Sequence, residues 1–351
     1  MSLTIHDIAR HLGVSTRTIG RVLNNLPGVG EETRQRVAQY VREVDYQPHT
    51  AARNLRQRRS DCIGVALNSA GAKVPLSQEL LGWLFGELHR IFGRQGEYIQ
   101  FDLSPPRVDD YLDYGRLLLQ QRCGALIVAG PIQIHDPVIT RLHRSGKPYL
   151  AMSRLDSLPE ISSAAVDYES GAYQATRYLA QKGHKRIGLL LGLKGFQPGI
   201  ERLRGYRRAL EEAGLPWDEQ IIHPTTFDPG ATAEALHQLL HHKDITGILD
   251  CSGTEDAAGL REGARRAGRM IGNDLEMVVW TYSYQATVLS DAAAHVWLPV
   301  REASSEGLEL LADWFYGRRS EPFQVLYTPV LYETIPQQEL TPRTPVFGTN
   351  L

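Results

Sequence analysis

The most distinctive chemistry in the chain sits close to its N-terminus. In STRTIGR, residues 15–21, helical spacing puts Ile19, Val22 and Leu23 on one side and Thr16, Arg17, Gly20 and Arg21 on the other. An Arg guanidinium donates two hydrogen bonds to guanine O6 and N7, a Thr hydroxyl reaches a base edge, and both can hold phosphate oxygens. That is the chemistry of reading duplex DNA. A second basic run places Arg53, Arg56, Arg58 and Arg59 around Leu55. It combines phosphate contacts with an apolar wedge of the kind pushed between base steps in a minor groove.

Other motifs do not assemble a reaction centre. Gly192-Leu193-Lys194-Gly195 follows an apolar run but lacks the Lys-Ser or Lys-Thr ending of a phosphate loop, so an ordinary loop is expected. His237 and His241 stand four apart without a supporting acid or third His, which reads as a solvated helix face rather than a metal site. Cys62, Cys123 and Cys251 are odd in number and far apart, as suits buried thiols in a reducing compartment. Neither a nucleophile elbow nor a kinase signature occurs. No catalytic residue, metal or cofactor is expected.

The basic residues need a scaffold, and the first 46 residues predict three short helices. Thr4 and Asp7 can cap the first, whose Ile5, Ile8, Ala9 and Leu12 share a face, and Gly13 ends it. Ser15 is a good N-cap for the second. Glu31 and Glu32 favour the start of a third, with Val37, Tyr40, Val41 and Val44 as its inner stripe. This is a helix-turn-helix arrangement, in which the second helix enters the major groove. Pro48 stops the preceding helix, and residues 47–60 predict a hinge helix too short to persist in water unless it orders against a partner.

From residue 61 short apolar runs alternate with helical stretches, the mark of a doubly wound parallel sheet. Expected strands cover 62–67, 98–103, 124–129 and 148–152, with helices at 78–92 and 109–121. A second set has strands at 187–191, 247–251 and 277–280, with helices at 170–181, 201–213, 232–241 and 255–267. Two similar α/β lobes follow, with ligands expected in the cleft outside the strands' carboxyl ends. The expected division is a DNA-binding head over 1–46, a hinge over 47–60, a two-lobed body over 61–335 and a tail over 336–351.

Charge supports this division. The net charge is −2, but residues 1–60 hold ten Arg against five Asp or Glu, so a head of +5 sits on a body of −7. A small basic head implies a polyanionic partner. With 351 residues, 42 % hydrophobic and 22 % charged, the chain reads as an ordinary globular protein of two or three domains. The opening MSLTIHDIARHLG lacks the pattern of a secretory signal, so a cytoplasmic protein without membrane contact is expected.

The combination TIHDIARHLGVSTRTIGRVLN, VGEETRQRV and PHTAARNLRQRRS running into CIGVAL resembles the lactose, galactose and purine repressor family. YLAQKGHKRIGLLLG, ERLRGYRRALEEAGLP and the VLYTPVLYE ending extend the resemblance over nearly the whole chain. It implies a periplasmic-binding-protein-like body, with the strand at 296–299 and the next helix returning the chain to the first lobe. The implied DNA-binding set is Thr4, Ser15, Thr16, Arg17, Thr18, Arg21, Asn24, Ala52, Arg53, Leu55 and Arg56, with Ala52 and Leu55 meeting a dimer mate at a palindrome's centre. The implied effector-binding set is Ser69, Leu76, Ser153, Arg154, Arg202, Phe227, Thr254, Trp280 and Thr281. Gly20 stands where the family usually has Ser. Thr254 and Thr281 replace carboxylates of sugar-binding members, which, with Arg154 and Arg202, predicts an anionic effector such as a sugar phosphate or sugar acid.

These features imply a homodimeric repressor that binds a palindromic operator under control of a small-molecule effector, a carbohydrate or an anionic carbohydrate derivative, in the interlobe cleft. A solute-binding protein of sugar transport shares the two-lobed body, but a basic head and absent signal disfavour it. A doubly wound enzyme lacks a chemical centre. The tail QQELTPRTPVFGTNL has no apolar heptads to make a coiled-coil tetramer.

Overall fold

The computed structural model describes residues 3–23, 26–46, 60–68, 78–103, 105–108, 111–226, 228–252, 257–282 and 289–333. The chain forms two compact units, Met1–Ser60 and Asp61–Leu351. Within the first, helices α1 (Ile5–Leu12), α2 (Thr16–Leu23) and α3 (Glu31–Glu43) bury Ile8, Ala9, Ile19 and Val37 against one another. Thr4 and Asp7 form a capping box at α1, and Gly13 closes it in the left-handed conformation at φ 64°, which a side chain would strain. The hinge expected at 47–60 and the tail at 336–351 lie almost wholly outside the described residues.

The second unit has two lobes. One sheet runs β13 (Gln324–Tyr327), β7 (Ser163–Val166), β6 (Tyr149–Ala151), β5 (Ala125–Ala129), β1 (Cys62–Leu67) and β2 (Tyr98–Asp102), all parallel. The other runs β14 (Val330–Tyr332), β12 (Ala294–Trp297), β11 (Glu276–Thr281), β10 (Gly247–Asp250), β8 (Ile187–Gly192) and β9 (Ile222–Pro224), with only β14 antiparallel. The central strands CIGVAL, ALIVA and IGLLLG are buried nearly throughout because helices cover both faces of a parallel sheet. Helices α4 (Gln78–Ile91), α5 (Arg116–Leu119), α6 (Pro137–Arg144), α7 (Tyr168–Gln181), α8 (Gln197–Glu212), α9 (Pro229–Leu239), α10 (Ala258–Arg266) and α11 (Val300–Phe315) complete the lobes. Asp136, Asp167 and Asp228 accept backbone N–H bonds at the starts of α6, α7 and α9.

The chain passes between lobes three times, each time through one or two residues. Asp167 links β7 to α7, Leu298-Pro299 links β12 to α11, and Thr328-Pro329 links β13 to β14. Two expectations need correction. The helix expected at 109–121 shrinks to the single turn Arg116–Leu119, preceded by the short hairpin β3 (Arg107–Val108) and β4 (Tyr111–Leu112). There Arg116 ties the turn to Asp102 through Nε at 2.6 Å and Nη2 at 2.7 Å, while Leu117 and Leu118 point into the core. The strand expected at 296–299 is Ala294–Trp297 and belongs to the second lobe. Pro299 has no N–H for a ladder and instead precedes α11, which carries the return to the first lobe.

Candidate functional site

In the head, Arg17 is exposed at the first turn of α2, and Thr16 beside it is half-buried. Ser15 accepts from the Thr18 N–H at 3.0 Å, and the two hydroxyls lie 2.9 Å apart, so this pair caps the helix that carries Arg17. Thr4 likewise works inside the capping box, and its hydrogen bonds hold the Asp7 carboxyl below the ordinary carboxylate range. Arg21 is half-buried and packs close to the turn after α2, where a Cβ on Gly28 would meet its Nη1 at 3.2 Å. Two arginines of α3 serve the fold: Arg34 donates to the Leu26 carbonyl at 2.7 Å and Arg36 to the Leu12 carbonyl at 3.2 Å. Arg17, Thr16 and Arg21 thus share one short helix. Asn24, Ala52, Arg53, Leu55 and Arg56 lie outside the described residues.

In the body a cavity of about 220 Å³ opens between the lobes at the carboxyl ends of the strands. From the first lobe it takes Gly130 and Pro131 after β5, Met152 and Ser153 after β6, Leu81 and Leu84 of α4, and Ala303 and Ser304 of α11. From the second it takes Tyr168, Leu193, Phe196, Arg202, Trp280 and Tyr282. Most of this wall is apolar. The loop expected to be ordinary, residues 192–195, therefore borders the cavity through Leu193.

Among the described residues lining the cavity, Arg202 is the cation. It is 7 % exposed; its Nη1 donates to the Leu191 carbonyl at 3.1 Å, and its Nε is buried without a partner. Its guanidinium carbon lies 4.8 Å from the Trp280 ring centre and 5.1 Å from that of Tyr168, while those two rings stack 5.6 Å apart. Gly192, at φ 79°, leaves the space that Nη1 occupies. Trp280 is buried, and its Nε1 also lacks a partner.

Arg154 has a different fate. Its Nε donates to Glu201 at 2.8 Å and its Nη2 lies 3.4 Å from Asp167, and it does not line the cavity. Burial opposes its charge, but the bond to Glu201 and the charges of Glu201, Asp167 and Asp156 outweigh it and raise its pKa. Of the expected effector residues, Ser153, Arg202 and Trp280 come together. Arg154 and the buried Thr281 do not join the wall, and Ser69, Leu76, Phe227 and Thr254 lie outside the described residues. Asp250 is buried at the end of β10, accepts from the Ser252 N–H at 3.0 Å, and is pushed up to about 6 by desolvation against opposing hydrogen bonds from Ser252 and the charge of Arg202. Sequence reading missed Tyr168 because β7, SAAV, is too small and short to signal a strand whose end would place it. Tyr282, one residue beyond Thr281, was within reach of the same argument that singled out Trp280.

The comparisons with known proteins cover both units. Residues 4–49 match the family described as bacterial regulatory proteins, lacI family, and residues 92–300 match periplasmic binding proteins and sugar binding domain of LacI family. The chain is similar to the HTH-type transcriptional regulator CelR of Thermobifida fusca, 29 % identical over 92 % of this chain and 95 % of that protein. It is 25 % identical to catabolite control protein A of Priestia megaterium over 90 % of this chain and 93 % of that one. Among solved structures, a CelR–cellobiose complex superposes with a TM-score of 0.65 at 25 % identity, covering 94 % of this chain and 98 % of that one. The lac repressor dimer bound to operator and the anti-inducer ONPF shares the fold, with a TM-score of 0.72 at 20 % identity and coverage of 94 % and 98 %.

Proposed function

The chain belongs to the LacI family of bacterial regulatory proteins, and from that premise we propose that it is a homodimeric repressor. Its head binds a palindromic operator, and a small molecule in the interlobe cleft alters that binding. The observation that carries the reading is the exposed Arg17 at the start of a Ser15-capped helix in a three-helix head. A helix N-terminus with Arg and Thr on its outer side meets base edges and phosphates together. The effector-dependent half of the reading is supported by a cavity whose wall comes from both lobes.

Residues 47–60, with Ala52, Arg53, Leu55 and Arg56, act in this reading as the hinge that reaches the minor groove. The protein is cytoplasmic and is not an enzyme. That reading is supported by the regulatory relatives. Among the described residues, no helix is long and apolar enough to cross a membrane.

A mobility shift on DNA upstream of the protein's own gene tests the proposal, using the full chain and a chain beginning at residue 61. The full chain should shift the fragment, and its affinity should fall steeply between low and moderate salt as paired heads release counterions. Equal shifts by both chains, or a flat salt response, would overturn the reading.

A further inference from the structure

Two buried donors in the cleft have no acceptor. Arg202 uses Nη1 on the Leu191 carbonyl and leaves Nε unpartnered, and Trp280, whose ring lies 4.8 Å from the guanidinium carbon, leaves Nε1 unpartnered. Both side chains are more than nine-tenths buried and both line the cavity. The neighbouring carboxyl does not answer them: Glu201 turns to Arg154 and Gln197. Asp250 accepts from the Ser252 N–H. A guanidinium held on one side by a carbonyl presents its other edge as a fork, and a planar carboxylate matches that fork bidentately.

Around these donors the described wall is mainly apolar, with Leu84, Met152, Phe196 and Leu298, and its hydroxyls are those of Ser153, Ser304, Tyr168 and Tyr282. Four hydroxyls on a wall otherwise mostly apolar can pair only some of a hydroxyl-rich ligand's groups, and each hydroxyl stripped of water without a partner weakens binding. An apolar body loses nothing there and leaves water favourably.

On the reading of the cleft as the effector site, we propose that the ligand is a small carboxylate with an apolar body, aromatic or branched aliphatic. Its carboxylate sits on Arg202 and Trp280. This differs from the sugar phosphate or sugar acid expected from sequence because, among the described residues, one of the two expected arginines faces the cavity and most of the wall is apolar.

The test uses the full chain and matched pairs: phenylacetate against 2-phenylethanol, and 4-methylpentanoate against 4-methylpentanol, alongside cellobiose and glucose 6-phosphate. Binding is read by calorimetry and by Trp fluorescence. Each acid should bind at least about tenfold more tightly than its alcohol, the step expected when a charged group gains a hydrogen-bonded partner. Arg202→Met should erase that preference, and Gly192→Ala, which crowds Nη1, should reduce it with Arg202 intact. The wild-type comparison stands even if either variant fails to fold.

Equal binding of acid and alcohol, tighter binding of cellobiose or glucose 6-phosphate, or no binding by any probe would overturn the proposal. The same preparation is assayed for DNA binding. A salt-dependent DNA shift with failed acids overturns the ligand class alone, whereas acid binding without any DNA shift supports the ligand class and overturns the regulator reading.

Discussion

Removing Arg154 should loosen the body by breaking an ion pair that spans the lobes. Arg154 follows β6 of the first lobe, Glu201 lies on α8 of the second, and their Nε–Oε1 distance is 2.8 Å. The two side chains are unequally exposed, 28 % for Arg154 and 1 % for Glu201, so Arg154→Met strands a carboxylate that water cannot reach. Breaking a fully buried pair costs about 3–5 kcal/mol. The partial exposure of Arg154 lowers that figure, and Gln197 Nε2 still donates to Glu201 at 3.0 Å. A loss of about 2–3 kcal/mol is expected.

Glu201→Gln should cost less, because it removes the buried charge together with the pair. The double variant should fall short of the sum by about 1–2 kcal/mol, the coupling typical of residues in direct contact. All five Trp residues, 83, 217, 280, 297 and 314, lie beyond residue 60, so a urea melt followed by Trp fluorescence reports the body without the head. Single variants that each change stability by under about 0.5 kcal/mol, or that add without coupling, would refute the reasoning.

Three further outcomes follow from particular residues. Arg17→Ala should weaken operator binding by about 1–3 kcal/mol and relax preference at specific base pairs, measured by titration against a panel of single-base operator variants; uniform loss on every sequence would make Arg17 a phosphate contact. The Asp250 carboxyl sits at about 6 in the fold against an ordinary value of 3.8, so its favourable contribution is complete below about pH 4 and lost as pH rises through 6; Asp250→Asn should therefore stabilise the body at pH 7 by roughly 3 kcal/mol at most, with the gain vanishing towards pH 4, and a pH-independent difference between the two melts would contradict this. Gly205→Ala should destabilise by about 1–3 kcal/mol despite better helix propensity, because a Cβ there meets the Glu169 carbonyl and the Tyr173 N–H where α8 crosses α7; an unchanged or raised urea midpoint would show that the helices can part at no cost.

Much of this architecture was legible because its physics is local. A strand buried on both faces must be continuously apolar, so CIGVAL, ALIVA and IGLLLG declare themselves, and Thr4, Gly13 and Ser15 mark helix ends by chemistry that needs no neighbour. The short strands at the lobe crossings were illegible for the converse reason. SAAV is held in register chiefly by β13, which is distant in sequence, and β13 and β14 are separated by two residues yet enter different sheets. Only tertiary pairing distinguishes them from loop.

The two arginines expected in the cleft show where sequence reasoning stops and why. Both follow or precede apolar runs, and nothing in their types or spacing tells them apart. What separates them is the partner each one finds. Arg154 meets Glu201 and Asp167, so its charge is cancelled before a ligand arrives, and it holds the lobes to each other. Arg202 meets a carbonyl and two aromatic faces, which steady a guanidinium, and the charge of the Asp250 carboxyl bears on it as well. The charge that a ligand meets in this cleft is therefore set by how cations are paired, not by how many there are. Adjacent residues of α8 differ in their pairing: Glu201 is committed to the bond with Arg154 across the lobes, while Arg202 keeps a buried Nε without a partner. A carboxylate drawn to Arg202, as proposed above, would lie one residue along α8 from the pair that bridges the lobes.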